Sequence, residues 1–253
     1  MVPLIPIPIR KVLSSIRENE VQALLMGGQA CVLYGAAEFS RDADYAVWVD
    51  PENLDRLDRA LAELQAECIA VPPYEVDYLS RGHAIHFRCQ HPEAKGMRIV
   101  LIAKMRGVES FEKLWKRRST LELPDGLVVD VMALPDLVCA KKTQRDKDWP
   151  MIRRLLEAHY FSERADPSSE QIDFWLHELR SPELLKEVAE GCPERAQRMS
   201  GTRPAVAAAV RSEDTESIGR TLRAEEDQER AKDREYWMPL LEELSQLRRK
   251  GRS

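Results

Sequence analysis

Asp42 and Asp44 stand one residue apart in the stretch EFSRDADYAVWVD, Glu38 to Asp50, and an apolar run from Tyr45 to Val49 follows at once. In a strand, residues i and i+2 face the same side. The two carboxylates therefore point together, and they repel unless a proton or a cation lies between them. A hard divalent cation such as Mg²⁺ relieves the repulsion, because it takes oxygen ligands in octahedral geometry. Two such ions about 4 Å apart activate an attacking hydroxyl and stabilise a leaving phosphate. The plainer reading is a solvated strand end that carries two acids, and Asp-x-Asp alone does not decide between them.

Just upstream, LLMGGQACVLYG sets Gly27-Gly28 between a short apolar strand and a helix. Glycine lets phosphate oxygens approach the backbone closely. A helix N-terminus adds free N–H groups and a partial positive charge. Strand, Gly-Gly, helix and a strand with Asp-x-Asp would place a phosphate cradle beside a metal site. About a dozen residues separate the glycines from the aspartates, and this ordered combination is far more specific than either half.

The elements that must position these residues are legible in the pattern. RKVLSSIRENE predicts a short amphipathic helix, QALLM a buried strand, QACVLYGAA a helix and ADYAVWVD a strand. PENLDRLDRALAELQAE predicts a strong helix, with Pro51 in its first turn and Leu54, Leu57, Leu61 and Leu64 on one stripe. HAIHFRCQ and MRIVLIAKM predict two strands joined by a polar loop, and GVESFEKLWKRR a helix. STLEL and LVVDVMAL predict a hairpin around Pro-Asp-Gly. From Asp136 onward the chain reads as helix, with a break or a new start at Pro150. After about Ser162 strand signals vanish. The expected fold is therefore α/β (α+β): a mixed sheet flanked by helices over residues 1–160, then a helical region over 161–253.

Composition narrows the function classes. With 253 residues and a formal net charge of −5, the chain can bury a sizeable core and has no global bias toward nucleic acid or anionic membrane. Five cysteines are scattered without a CxxC, which suggests reduced thiols and a cytoplasmic protein. The N-terminal MVPLIPIPIRK is apolar but broken by three prolines, unlike a signal peptide, and no segment approaches a membrane helix. The expectation is a soluble protein with no membrane partner. His83 and His86 are an odd number apart, so a regular strand sends them to opposite faces and makes them a poor metal pair. KLWKRR and AKKTQRDKDWPMIRR are basic clusters, read either as solvated helix faces or as a rim that attracts a nucleotide. Tyr34 and Trp48 could stack on a base, though core packing suits Trp48 better.

The stretch GGQACVLYGAAEFSRDADYAVWV resembles the Gly-Gly … Asp-x-Asp signature of the DNA polymerase beta-like nucleotidyltransferase superfamily. Within it the chain looks most like the small bacterial minimal and abortive-infection toxin-type enzymes. LPDLVCAKKTQRDKDWPMI is similar to the segment of that group with a helical lysine followed by Arg-x-Lys-Asp. The resemblance covers residues 20–160. It implies transfer of a nucleoside monophosphate from an NTP to an acceptor hydroxyl, on a protein, an RNA or a small molecule, with release of pyrophosphate. It implies that Gly27 and Gly28 cradle the triphosphate, that Asp42 and Asp44 hold Mg²⁺ or Mn²⁺, that Ser40 is the hydroxyl residue before the acids and that Lys141 touches the phosphates. Arg145 and Asp148 would order that helix. An antitoxin-like protein partner follows from the same analogy.

The pattern also departs from the family. Its third carboxylate commonly follows Arg-Ile, and here the stretch is Arg98-Ile99-Val100. Glu38 stands where a basic residue is frequent. Valine can neither hold a cation nor take a proton. Asp130, an acid inside the apolar LVVDVMAL, could supply the missing oxygen; the alternative is a carboxylate held by Arg117, Arg118 or a backbone amide. Asp77 is a weaker candidate. If neither serves, the expected protein is a degenerate nucleotide-binding or interaction module.

Overall fold

The structure, a computed structural model, describes residues 7–211 and 214–250. The proline-broken N-terminus up to Pro6 lies outside the described residues, as do residues 212–213 and 251–253. The chain forms two compact units, residues 1–140 with 236–253 and residues 141–235. The boundary expected near residue 160 falls inside a helix, and the C-terminal segment groups with the first unit.

The first unit runs α1 (Ile7–Glu18), β1 (Ala23–Met26), α2 (Gly27–Leu33), β2 (Asp42–Val47), α3 (Pro51–Glu63), β3 (Ala66–Cys68), α4 (Val76–Arg81), β4 (Ile85–Cys89), β5 (Arg98–Ile102), α5 (Phe111–Arg117), β6 (Ser119–Glu122), β7 (Val128–Val131) and α6 (Leu134–Ala140). Its strands form one mixed seven-stranded sheet in the order β3-β4-β5-β2-β1-β7-β6. β1 lies between β2, which it pairs antiparallel, and β7, which it pairs parallel. That central place explains an unbroken apolar ALLM whose first three residues are buried. In β2 the acids alternate with buried Ala43 and Tyr45, so the acids share one face and the core residues the other.

Local chemistry fixes these elements. Asp50 caps α3 by accepting from the Glu52 and Asn53 amides at 3.1 and 3.3 Å, with Pro51 next in the chain. The Asn53 side chain accepts from the Gln22 amide at 2.7 Å and donates to the Gln22 and Trp48 carbonyls at 3.0 and 2.8 Å. One buried amide thus ties the start of β1 to the end of β2. Glu63 of α3 accepts from Ser15 of α1 and from Asn19 just after it, at 2.8 and 2.9 Å, and pairs with Lys11. The Pro-Asp-Gly hairpin closes with Asp125 accepting from the Leu127 amide at 3.1 Å and Gly126 at φ +82°.

Besides a 3-10 turn at Pro92–Ala94 in the polar loop, two elements of the first unit were not anticipated. β3 is a three-residue edge strand with no exposed-buried alternation, and α4 is a six-residue helix stopped by Gly82 at φ +103°. Conversely, α2 spans only seven residues, so Tyr34 ends the helix that QACVLYGAA suggested.

The second unit holds helices only: α7 (Asp148–Glu163), α8 (Ser169–Glu178), α9 (Pro182–Gly191), α10 (Pro193–Ser200), α11 (Pro204–Val210) and most of α12 (Thr215–Lys250). α12 is one 36-residue helix with Pro239 inside it. Residues 141–147 are not helical, so the helix expected from Asp136 is interrupted there. Among the described residues no helix is long and apolar enough to cross a membrane.

Candidate nucleotide site

β1 delivers the chain to Gly27, whose φ of +66° turns it sharply into α2. Met26 is paired with Asp44, so the glycines arrive at the level of the second acid. A Cβ on Gly27 would lie 1.8 Å from Asp44 Oδ2 and 2.8 Å from Asp44 Cβ. No side chain fits there. A Cβ on Gly28 would lie 2.7 Å from Ser40 Oγ and 3.2 Å from Ser40 Cβ. Ser40 in turn donates to the Asp42 carbonyl at 3.1 Å. Gly27, Gly28, Ser40, Asp42 and Asp44 thus come together. Close approach of Asp44 and a left-handed φ require glycine at position 27, while Gly28 lies against the Ser40 side chain.

Asp42 faces an edge of this cluster. Arg98 grips it with both ends of its guanidinium, Nε to Oδ1 at 2.7 Å and Nη2 to Oδ2 at 2.5 Å. The register explains the pair, since Asp42 and Arg98 are direct neighbours on the parallel strands β2 and β5. The next neighbours on that face are Asp44 and Val100. Val100, where the resemblance places a third acid, therefore does stand beside Asp44. On the antiparallel strand β4, His86 is the neighbour of Val100. One face of the sheet thus carries the row Met26, Asp44, Val100, His86 across β1, β2, β5 and β4. His86 is half-buried, and burial pushes its pKa down; Asp44 and Asp42 pull it up, and Arg98 adds to the fall. Sequence reasoning weighed His86 only as a poor metal partner of His83 and Arg98 only as part of Arg98-Ile99-Val100, because their place beside the acids depends on strand pairing across more than 40 residues.

The other candidates lie elsewhere. β1 separates β7 from β2, so Asp130 is two strand spacings, about 10 Å, from the strand of the acid pair. Its side chain accepts from Arg118 Nε at 2.8 Å and from Thr120 Oγ1 at 2.7 Å. Arg118 also stacks 4.0 Å over the Trp115 ring. Asp130 borders a cleft of about 420 Å³ that also holds Leu13, Arg17 and Tyr45. Asp77 is exposed and pairs with Arg81 at 3.0 Å. Tyr34 bonds Ser119 Oγ and the Met132 carbonyl, both at 2.9 Å, and Trp48 stacks on Phe111. Arg117 holds Asp136 through two bonds of 2.6 Å. The first basic cluster is thus taken up largely by its own carboxylates.

Lys141 belongs to the second unit, where it is buried 3.3 Å from Asp148. Thr143 and Arg145 bond the same carboxylate at 2.6 and 2.7 Å. Burial alone would raise the Asp148 pKa; Lys141, Thr143 and Arg145 together bring it below the usual carboxylate range.

The acid pair and the glycine cradle suit one Mg²⁺ ion shared with a phosphate group, since that ion is usually held by one or two carboxylates plus phosphate oxygens and water. Asp42 must then exchange Arg98 for the ion. A two-ion arrangement lacks its third acid. Among the described residues no group of three or more His, Cys, Asp or Glu side chains is placed to hold a metal ion. No family model matches this sequence, and no curated protein is significantly similar to it.

Proposed function

We propose that the protein binds an NTP with Mg²⁺ or Mn²⁺ at the Gly27–Asp44 cradle and transfers its nucleoside monophosphate to an acceptor hydroxyl, with release of pyrophosphate. The observation that carries this reading is the approach of the Gly27 backbone to Asp44, with no room for a Cβ between them. Gly27 thus leaves only backbone beside the Asp44 carboxylate, and Mg²⁺ is usually held by one or two carboxylates together with phosphate oxygens. Gly27 and Gly28 would face the triphosphate, Ser40 would add a hydroxyl, and Asp42 and Asp44 would hold the ion. When bound, the ion neutralises phosphate charge and lowers the pKa of a bound hydroxyl. Lys141, which the resemblance assigned to the phosphates, is buried beside Asp148 in the second unit and is left out of this reading. The acceptor is a protein, RNA or small-molecule hydroxyl. The five cysteines are present as thiols, which suits a reducing cytoplasm.

A second reading is binding without turnover. It is favoured by Val100, which stands beside Asp44 in register and offers no oxygen. One experiment separates the two. The purified protein is incubated with each α-labelled NTP and Mg²⁺ or Mn²⁺, alongside Asp44→Ala and Val100→Asp. Transfer by the unmodified protein that Asp44→Ala abolishes supports the enzyme. NTP binding without transfer, with activity gained in Val100→Asp, supports the degenerate module.

A further inference from the structure

We propose that His86 receives the proton of the acceptor hydroxyl, the task that Val100 cannot perform; the proposal rests on the nucleotidyl-transfer reading.

Strand order carries it. Crossing the sheet from β1, the face presents the glycine turn, then Asp44, then Val100, then His86. Phosphates over the glycines and a cation over the acids leave the surface above Val100 as the approach for an acceptor. Neighbouring strands are about 4.8 Å apart, so His86 and Asp44 flank that approach from backbones roughly 10 Å apart. A reacting oxygen must come within about 3–3.5 Å of phosphorus. A hydroxyl entering above Val100 would have Asp44 on the β2 side and His86 on the β4 side. Val100 contributes no charge of its own there.

The other histidines of the first unit are committed elsewhere. His83 is buried with Nε2 2.7 Å from Glu243, and His91 Nδ1 accepts from the Glu93 amide at 3.3 Å. The His86 ring makes no hydrogen bond among the described residues. Burial disfavours the charged imidazole, which suits a proton acceptor. The charged groups that act on it are Asp44, Asp42 and Arg98.

The step balances. The acceptor O–H gives its proton to an imidazole nitrogen, and the oxygen forms a bond to the α-phosphorus. The bond from the α-phosphorus to the α–β bridging oxygen breaks, pyrophosphate leaves with that electron pair, and the imidazolium returns its proton to water.

The test uses the full chain and pyrophosphate release, with protein, RNA and a simple polyol each offered as acceptor. A non-hydrolysable α,β-methylene NTP measures binding separately. His86→Asn and His86→Gln should lower transfer about 10²–10⁴-fold while analogue affinity stays within about twofold. Adding Val100→Asp to His86→Asn should restore transfer, with the acid limb of the pH profile moved to lower pH. Transfer unchanged in both His86 variants overturns the proposal. So does wild-type NTP binding with no transfer to any acceptor, which leaves the binding site intact. Absence of NTP binding overturns the functional reading itself.

Discussion

Glu225 of the second unit and the acid pair of the first are held in different ways. Glu225 is met by several donors of the chain itself. Glu225 accepts from Arg180, Arg203 and the Ala205 amide at 3.0, 3.2 and 3.0 Å. Buried Arg203 also donates to the Leu176 and Leu179 carbonyls at 2.6 and 2.7 Å, and burial pulls its pKa down to about 10. In the first unit, the acid pair lies at a sheet face against bare glycine backbone, and Asp42 is held by a half-exposed arginine. A carboxylate whose oxygens are all met by fixed donors has a structural task. A carboxylate held by one solvated arginine can exchange it for a ligand at small cost, since such exposed pairs are worth about 0–1 kcal/mol.

The sharpest break of this contrast is at Gly27. Gly27→Ala places a Cβ where the Asp44 side chain lies and forces a left-handed φ on alanine. We expect a loss of stability of at least about 2 kcal/mol, read by denaturant unfolding, and no measurable Mg-NTP binding by calorimetry. Gly28→Ala meets chiefly the mobile Ser40 hydroxyl and should be milder in both assays.

Next comes the second unit. Burial tends to raise the Glu178 pKa, yet the His177 hydrogen bond, Lys142 and Arg180 bring it down to about 2. A depressed carboxylate stabilises the fold above its unfolded pKa, near 4.5 here, and that contribution is lost as pH falls toward 2. Thermal melts should therefore fall steeply between those values. Glu178→Gln should cost about 3 kcal/mol at neutral pH and flatten that acid limb.

The smallest effect is expected at Arg98. Arg98→Met releases Asp42 and should leave stability within about 1 kcal/mol. It should tighten Mg²⁺-dependent NTP binding by at most about fivefold, measured at fixed ionic strength. Weaker binding would mean that Arg98 holds phosphate rather than competing for the acid.

Much of the fold was readable because local chemistry repeats it. The leucine stripe of α3, the Asp50–Pro51 start, the alternation in β2 and the Pro-Asp-Gly turn each state their element within a few residues. α12 runs through Pro239 as one helix. β3 escaped notice because three residues on an edge carry no period. The close packing of Gly27 on Asp44 and Gly28 on Ser40 joins residues already paired by spacing. What spacing cannot supply is register. The Asp42–Arg98 pair, the Asp44–Val100–His86 row and the strand between Asp130 and the acid pair exist only once the sheet is assembled.

The most direct measurement is calorimetric titration of an NTP into the full chain, with and without Mg²⁺, beside Asp44→Ala. The account predicts binding that needs the ion and disappears in the variant. Equal affinity in the variant, or binding indifferent to Mg²⁺, would contradict it.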